Sequence, residues 1–96
     1  MKKNAILINT SRGPIINESD LIEALENNVI GGVGLDVFEN ETSPVDKRLA
    51  SSPHAVLTPH VAWNTDVAVT AIHEEVGDNI VRYLKGERPH SIVNKL

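Results

Sequence analysis

Side chains with acid–base or ion-pairing chemistry stand at the ends of three short apolar segments of the sequence. Thr10, Ser11 and Arg12 close the first segment, Asp36 lies near the end of the second with Glu41 just after it, and His60 follows the third. Arginine binds a carboxylate through two parallel hydrogen bonds, and histidine exchanges a proton near neutral pH. A carboxylate beside the histidine would favour the charged form of the ring and orient it. Together these groups suit reversible reduction of a 2-keto acid, with a nicotinamide cofactor supplying the hydride.

The apolar segments are predicted to be strands of a parallel sheet. Residues 5–8 are apolar throughout and rich in β-branched side chains, which is typical of a strand buried on both faces. Further strands are predicted at residues 29–38 and 55–58. Because ligands of open α/β sheets bind beyond the carboxyl ends of the strands, we expect the arginine, the carboxylate and the imidazole to meet at one rim.

Two helices are predicted to accompany the strands. Asn17 is a good N-cap for a first helix of about ten residues. A second helix follows Thr65, carries apolar residues at intervals of four, and has Gly86 at its expected end. Between them, residues 39–53 show no periodicity and are expected to form a long surface loop. Three strands and two helices leave one face of the sheet poorly covered, so more protein is expected beside it.

Composition and charge exclude several classes of protein. The 96 residues are 41% hydrophobic and carry a net charge of -4 with no basic stripe, so nucleic-acid binding is not expected. The lack of cysteine excludes disulfide scaffolds and thiolate zinc sites, and the histidine spacing does not suggest a metal site. No apolar run is long enough for a signal peptide or a membrane span, so a cytoplasmic protein is expected.

A cluster of glycines precedes the second predicted strand. Gly31, Gly32 and Gly34 do not join a strand to a helix N-terminus, which is the setting of a phosphate-binding loop. We expect them to allow close packing of a helix on the strand.

The two most distinctive motifs are INTSRGPIINESDLIEALENNVIGGVGLDVFENE and LTPHVAW. They closely resemble the D-isomer-specific 2-hydroxyacid dehydrogenases, over essentially the whole chain, as the carboxyl-terminal third of such an enzyme. HVAW is most similar to the glycerate dehydrogenase (hydroxypyruvate reductase) type. The resemblance implies an α/β fold with part of a Rossmann-like, doubly wound parallel sheet. Residues 1–63 would be the carboxyl-terminal half of the NAD-binding domain, and residues 64–96 a helix and tail returning to the substrate domain.

The resemblance also implies roles for single residues. Arg12 matches the substrate-binding catalytic arginine, Glu41 the glutamate that pairs with the catalytic histidine, and His60 the general acid/base. Asp36 matches the aspartate that binds the nicotinamide carboxamide. Thr42 stands where the family usually has proline after its glutamate, and Glu39 is a second carboxylate nearby. The positions that match the family's cofactor site are Thr10, Ser11, Arg12, Asp36, His60, Val61, Ala62 and Trp63.

The implied activity is NAD(H)-dependent reduction of hydroxypyruvate, glyoxylate or a similar 2-keto acid to a D-2-hydroxy acid. The family's G-x-G-x-x-G phosphate loop and its acidic ribose partner would precede Met1, so NADH and NADPH are not distinguished. For the same reason we expect the 96 residues alone to be inactive, and the missing amino-terminal part of the enzyme to be a partner. Family members are commonly dimers, so a homodimer is also implied.

Two other interpretations stay open. Some proteins of this fold are non-catalytic, NAD-sensing corepressors, although the joint presence of Arg12, Glu41 and His60 argues against that role. The chain could also be a truncated gene product without function. For Asp36, the alternative to cofactor binding is a structural hydrogen bond to a neighbouring loop.

Overall fold

A computed structural model describes residues 1–94 of the chain. Three parallel strands form one sheet in the order in which they occur along the chain, and helices accompany them, which confirms the predicted α/β class. The chain divides into two compact units, Met1–Ala62 and Trp63–Leu96. The strands are β1 (Ile6–Asn9), β2 (Gly32–Leu35) and β3 (Ala55–Leu57), and the helices are α1 (Glu18–Glu26), α2 (Lys47–Ala50) and α3 (Asp66–Leu84), with a short 3-10 turn at Gly13–Ile15.

The strands end in register. Asn9 of β1 is paired with Leu35 of β2, and Leu35 is paired with Leu57 of β3. Because all three strands run in the same direction, the segments that follow them leave the sheet at one rim. The register therefore places the turn after β1 and the loops after β2 and β3 next to one another.

One face of the sheet is packed against α1 and α2. Asn17 caps α1 by accepting a hydrogen bond from the Asp20 backbone N–H at 3.1 Å, as predicted. Burial of apolar side chains of this size contributes about 1.5–3 kcal/mol each. The buried cluster on this face consists of Leu21, Ile22, Leu25, Ile30, Val33, Leu35 and Leu49.

The opposite face of the sheet is open, so the prediction that the first strand is buried on both faces was wrong. Ile6 and Ile8 of β1 are each 69% exposed, and Val56 of β3 is 70% exposed. These side chains alternate with the buried ones along each strand and point away from α1 and α2. Nothing in the first unit covers them.

The predicted loop at residues 39–53 contains a helix that the sequence pattern does not predict. Asp46 caps α2 by accepting a hydrogen bond from the Arg48 backbone N–H at 2.8 Å, and Leu49 is only 1% exposed. A single turn of helix is too short to show apolar periodicity. The second strand is also shorter than predicted, since β2 covers only Gly32–Leu35.

The glycines at the start of β2 have a different structural role from the one expected. A Cβ atom at Gly31 would lie 2.9 Å from the Asn4 carbonyl carbon, and one at Gly32 would lie 2.9 Å from the His54 carbonyl oxygen. These glycines therefore allow the backbones that lead into β1 and β3 to approach β2 closely. They do not serve to pack a helix on the strand.

The second unit consists of α3 and the segment after it. Thr65 caps the helix by accepting a hydrogen bond from the Ala68 backbone N–H at 3.1 Å, and Gly86 follows its end with φ of 75°, as the sequence predicted. The segment then folds back, since the His90 backbone N–H donates to the Asn79 side chain at 2.8 Å. Positions 95 and 96 of the predicted helix and tail lie outside the described residues.

Across residues 1–94, the structure has no helix that combines the length and the apolar character needed to cross a membrane.

Candidate active site

The turn after β1 holds Arg12 and is organised by Asn9. The Asn9 side chain is buried, accepts a hydrogen bond from the Ser11 backbone N–H at 3.1 Å, and donates one to the Arg12 carbonyl at 2.9 Å. Asparagine commonly stabilises a tight turn in this way, by substituting for backbone groups. The exposed Arg12 side chain donates to the Ser11 carbonyl at 2.7 Å, so it lies along the same turn.

Gly13 brings this turn against the loop that follows β2. A Cβ atom at Gly13 would lie 1.9 Å from the Phe38 carbonyl oxygen and 2.5 Å from the Glu39 backbone nitrogen. No side chain fits at that distance. The contact brings the Arg12 turn alongside the segment that carries Glu41.

Glu41 and His60 form an ion pair at the rim. His60 Nδ1 lies 2.9 Å from Glu41 Oε2, with both side chains about two-fifths exposed, at 41% and 42%. Because a carboxylate only accepts, Nδ1 is the donor and its position fixes the orientation of the ring. The hydrogen bond from His60 lowers the pKa of Glu41, and the positive charge of Arg12 lowers it further. The charges of Arg12 and His60 therefore both act on the Glu41 carboxylate.

Asp36 follows the last residue of β2, and its side chain is buried, with only 3% of the residue exposed. Its Oδ1 accepts hydrogen bonds from the Thr58 hydroxyl at 2.5 Å and the Val61 backbone N–H at 2.9 Å, and Oδ2 accepts from the Ala62 N–H at 2.9 Å. The Thr58 bond is the main reason that the pKa of Asp36 is lowered, and the two backbone donors add to it against the opposing effect of burial. Asp36 is thus ionised and ties the loop after β3 to the end of β2.

A cavity of about 260 Å³ opens beside the ion pair. Glu41 and His60 form part of its wall, and the remaining lining residues are Phe38, Asn40, Ser43, Val45 and Pro59. The rim can therefore admit a small polar molecule next to the imidazole.

Most of the residues predicted to line a cofactor site follow β1 and β3 in the first unit. Thr10 and Ser11 are exposed in the turn after β1, while Val61 and Ala62 follow His60 in the loop after β3. Trp63 begins the second unit and is 54% exposed.

The Asp36 carboxylate has the acceptor chemistry that the N–H groups of a nicotinamide carboxamide require. A carboxylate has about four acceptor positions, and the hydrogen bonds from Thr58, Val61 and Ala62 use two on Oδ1 and one on Oδ2. Oδ2 therefore has capacity for one further N–H donor. The structural hydrogen bonds expected as the alternative role of Asp36 are present, and they are compatible with this second role.

Two functional contributions at this rim were missed from the sequence. The first is Asn9, whose place at the end of a strand and before a turn is a signal for a turn-stabilising side chain. The second is Thr58, for which the sequence offered no signal, because its hydroxyl partner Asp36 is 22 positions away.

No group of three or more histidine, aspartate or glutamate side chains that could hold a metal ion occurs in the part of the chain that the structure describes.

A family of known proteins matches most of this chain in sequence. Residues 1–62 match the D-isomer specific 2-hydroxyacid dehydrogenase NAD binding domain. The glyoxylate reductase of Thermofilum pendens is 43% identical over 95 residues, which is 99% of this chain and 28% of that protein. The glycerate dehydrogenase of Methylorubrum extorquens is 38% identical, over 97% of this chain and 30% of that protein.

A solved structure shows the same backbone arrangement. The NADPH-dependent glyoxylate/hydroxypyruvate reductase from Sinorhizobium meliloti, in complex with citrate, superimposes with a TM-score of 0.81 at 39% identity. The match covers 95% of this chain and 29% of that protein. This chain therefore spans less than a third of the length of these relatives.

Proposed function

Because the chain belongs to the D-isomer specific 2-hydroxyacid dehydrogenase family, we propose that it is the carboxyl-terminal part of an NAD(H)-dependent reductase, referred to below as the full-length enzyme. The reaction is reversible reduction of a small 2-keto acid, of the hydroxypyruvate or glyoxylate type, to the D-2-hydroxy acid. The observation that carries this proposal is the 2.9 Å pair of His60 and Glu41 at the rim that also holds Arg12.

In this proposal Arg12 binds the substrate. Its guanidinium presents two parallel N–H donors, which match the two oxygens of a carboxylate. The turn organised by Asn9, and held against the loop after β2 at Gly13, keeps the guanidinium near the ion pair. A 2-keto acid bound this way has its carbonyl group next to its carboxylate, so the group to be reduced lies toward the imidazole.

His60 is proposed as the general acid/base, and Glu41 as the residue that orients it. Because Nδ1 donates to Glu41, Nε2 is the ring nitrogen that holds the transferred proton. In reduction His60 gives this proton to the carbonyl oxygen, and in oxidation it takes the proton from the hydroxyl. A bound nicotinamide supplies or accepts the hydride.

The residues proposed to hold the nicotinamide end of the cofactor are Thr10, Ser11, Arg12, Asp36, His60, Val61, Ala62 and Trp63. Asp36 contributes the remaining acceptor capacity of Oδ2 to the carboxamide. The sequence has no G-x-G-x-x-G loop to hold the phosphates. We therefore propose that the missing amino-terminal part of the enzyme supplies it, and that the choice between NADH and NADPH is made there.

We also propose a domain assignment. Residues 1–63 form the carboxyl-terminal half of the NAD-binding domain, and residues 64–96 belong with the substrate domain. The apolar side chains exposed on β1 and β3 fit an interface with the amino-terminal half, and a homodimer of the full-length enzyme is also part of the proposal.

The substrate class can be tested with matched pairs of carbonyl compounds. In the full-length enzyme, NADH or NADPH oxidation is followed with glyoxylate against acetaldehyde, and with hydroxypyruvate against hydroxyacetone. Each second compound has a methyl group in place of the carboxylate. Because charge-assisted hydrogen bonds to Arg12 are lost, we expect kcat/KM to fall at least about tenfold for it. Equal rates within each pair, or formation of the L-isomer, would exclude the proposed reaction.

A further inference from the structure

His60 has an unusual backbone conformation. Its φ is 55°, and among residues 1–94 the only other residue besides glycine with positive φ is Asn28. The left-handed region is sparsely populated by residues with a side chain, and such conformations persist where neighbouring groups hold them. Some contacts must therefore stabilise the backbone at His60.

Those contacts converge on Asp36. The His60 backbone N–H donates to the Asp36 carbonyl at 2.9 Å, and the next two N–H groups, of Val61 and Ala62, each donate to the Asp36 carboxylate at 2.9 Å. Three successive backbone donors are thus held by one buried residue at the end of β2. This arrangement works only while the two carboxylate oxygens keep their present orientation.

Thr58 is the side chain that holds that orientation. Its hydroxyl donates to Asp36 Oδ1 at 2.5 Å, the same oxygen that accepts from Val61. Pro59, which follows Thr58, has no backbone N–H, so this residue adds no donor to the carboxylate. The hydroxyl donates from a side chain anchored at the end of β3, whereas the Val61 and Ala62 donors are backbone groups of the loop itself.

We propose that Thr58 is a positioning residue for the reaction: its hydroxyl orients the Asp36 carboxylate, which holds residues 60–62 and thereby aims the His60 imidazole at Glu41 and the substrate. The catalytic part of this inference rests on the proposed function. The structural part, that the Thr58 hydroxyl fixes the backbone of residues 60–62, does not.

Three substitutions in the full-length enzyme test the proposal. Thr58→Val keeps the shape of the side chain and removes the hydroxyl, Thr58→Ala removes it without β-branching, and Thr58→Ser retains it. Thr70→Val is the matched control, because Thr70 is an exposed residue of α3 and makes none of the hydrogen bonds to Asp36 described above. Loss of one hydrogen bond predicts that kcat falls about tenfold in the valine and alanine variants and stays within about twofold in the serine variant and the control.

A second readout separates positioning from general loss of structure. The backbone amide resonances of Val61 and Ala62, measured by NMR in the same enzyme, are expected to shift in Thr58→Val and Thr58→Ala and to stay in place in Thr58→Ser. The KM for the nicotinamide cofactor is expected to stay within about twofold in the serine variant and the control, where the carboxylate keeps its orientation.

The outcomes distinguish the two proposals. Wild-type kcat and unshifted amides in Thr58→Val and Thr58→Ala would overturn the role of Thr58. Equal loss of kcat in Thr58→Ser would also overturn it, because the hydroxyl would then not be the cause. Failure of the proposed function shows separately, as a His60→Gln enzyme with wild-type turnover, and the amide shifts then still decide whether Thr58 fixes the loop.

Discussion

The chemistry of the rim depends on which side chains are charged, and Glu41 is the clearest case. Its hydrogen bond with His60, together with the charge of Arg12, lowers the pKa of Glu41 from its ordinary value. Glu41 is therefore ionised at neutral pH. Because the ionised carboxylate can only accept, it holds the imidazole through the Nδ1–H, with 2.9 Å between Nδ1 and Oε2.

This leads to a prediction for the pH dependence of reduction. Because the bond to His60 lowers the pKa of Glu41, this carboxylate stays ionised at neutral pH, and its contribution to reduction is lost only as the pH falls through that lowered pKa. Glu41→Gln removes the charge at every pH, so kcat/KM should be about tenfold lower at neutral pH, with no further fall from this group in the acid range. The measurement is kcat/KM for hydroxypyruvate against pH in the full-length enzyme.

Glu39→Gln is the matched control, because Glu39 lies two positions away and the carboxylate paired with His60 is that of Glu41. Its profile should coincide with that of the unsubstituted enzyme. If Glu41→Gln left the profile in place while Glu39→Gln moved it, the pairing role would belong to Glu39.

At the scale of elements, the site depends on turns that are packed closely enough to bring three strand ends together. Gly13 is the point of closest approach, since any side chain there would overlap the Phe38 carbonyl oxygen. The Arg12 turn and the loop of Glu41 can be adjacent only because this position lacks a Cβ atom.

Gly13→Ala should therefore harm both stability and activity. The added methyl group must push the turn away from Phe38, and overpacking of this kind costs about 1–3 kcal/mol of unfolding free energy. Since the displaced turn carries Arg12, KM for the keto acid should rise as well. Urea unfolding and steady-state kinetics of the full-length enzyme measure the two effects.

Gly77, unlike Gly13, has room for an added methyl group. It lies inside α3, and an added methyl group would meet nothing within 4 Å, so Gly77→Ala should stabilise the helix by up to about 1 kcal/mol. If Gly13→Ala were as well tolerated as Gly77→Ala, the close approach at Phe38 would not be what positions Arg12.

Much of this element arrangement could be predicted from the sequence, for physical reasons that are local. The cap of α1 was predicted from Asn17, which bonds to a backbone N–H three residues away, whereas for α3 only the start after Thr65 was predicted and not its cap. The ends of β1 and β3 were predicted to within one residue because apolar runs stop at polar residues, but β2 ends at Leu35, before the predicted Phe38. The short helix α2 could not, since its stability comes from Leu49 packing into the core more than from any periodic pattern.

The candidate site, too, could be predicted from the sequence only in part. Arg12 and His60 could be found because each follows a predicted strand, and parallel strands end at one rim, whereas Glu41 was separated from Asp36 and Glu39 only by the family resemblance. The hydrogen bond between Thr58 and Asp36 could not be predicted, because the hydroxyl and the carboxylate are brought together only by the pairing of β2 with β3. The open face of the sheet was predicted from the count of strands and helices, but the exposure of Ile6 and Ile8 in particular was not, since an apolar run looks the same whether or not a partner covers it.

At the scale of the whole molecule, the proposed function gives this chain the catalytic rim and only part of the cofactor site. The sequence contains no phosphate loop, and one face of its sheet is exposed at Ile6, Ile8 and Val56. We therefore predict that the isolated 96 residues do not catalyse NADH oxidation by hydroxypyruvate. A spectrophotometric assay of the purified chain, with the full-length enzyme as positive control, tests this, and turnover by the isolated chain would show that no further cofactor-binding segment is required.

The central claim is that His60 transfers the proton at a site that it shares with Arg12 and Glu41. The most direct test is His60→Gln in the full-length enzyme, with kcat for hydroxypyruvate and the Kd for NADH measured on the same preparation. Because glutamine can form hydrogen bonds but cannot act as the acid, kcat should fall about 100-fold or more while the Kd for NADH changes by less than about threefold. An unchanged kcat would contradict the claim.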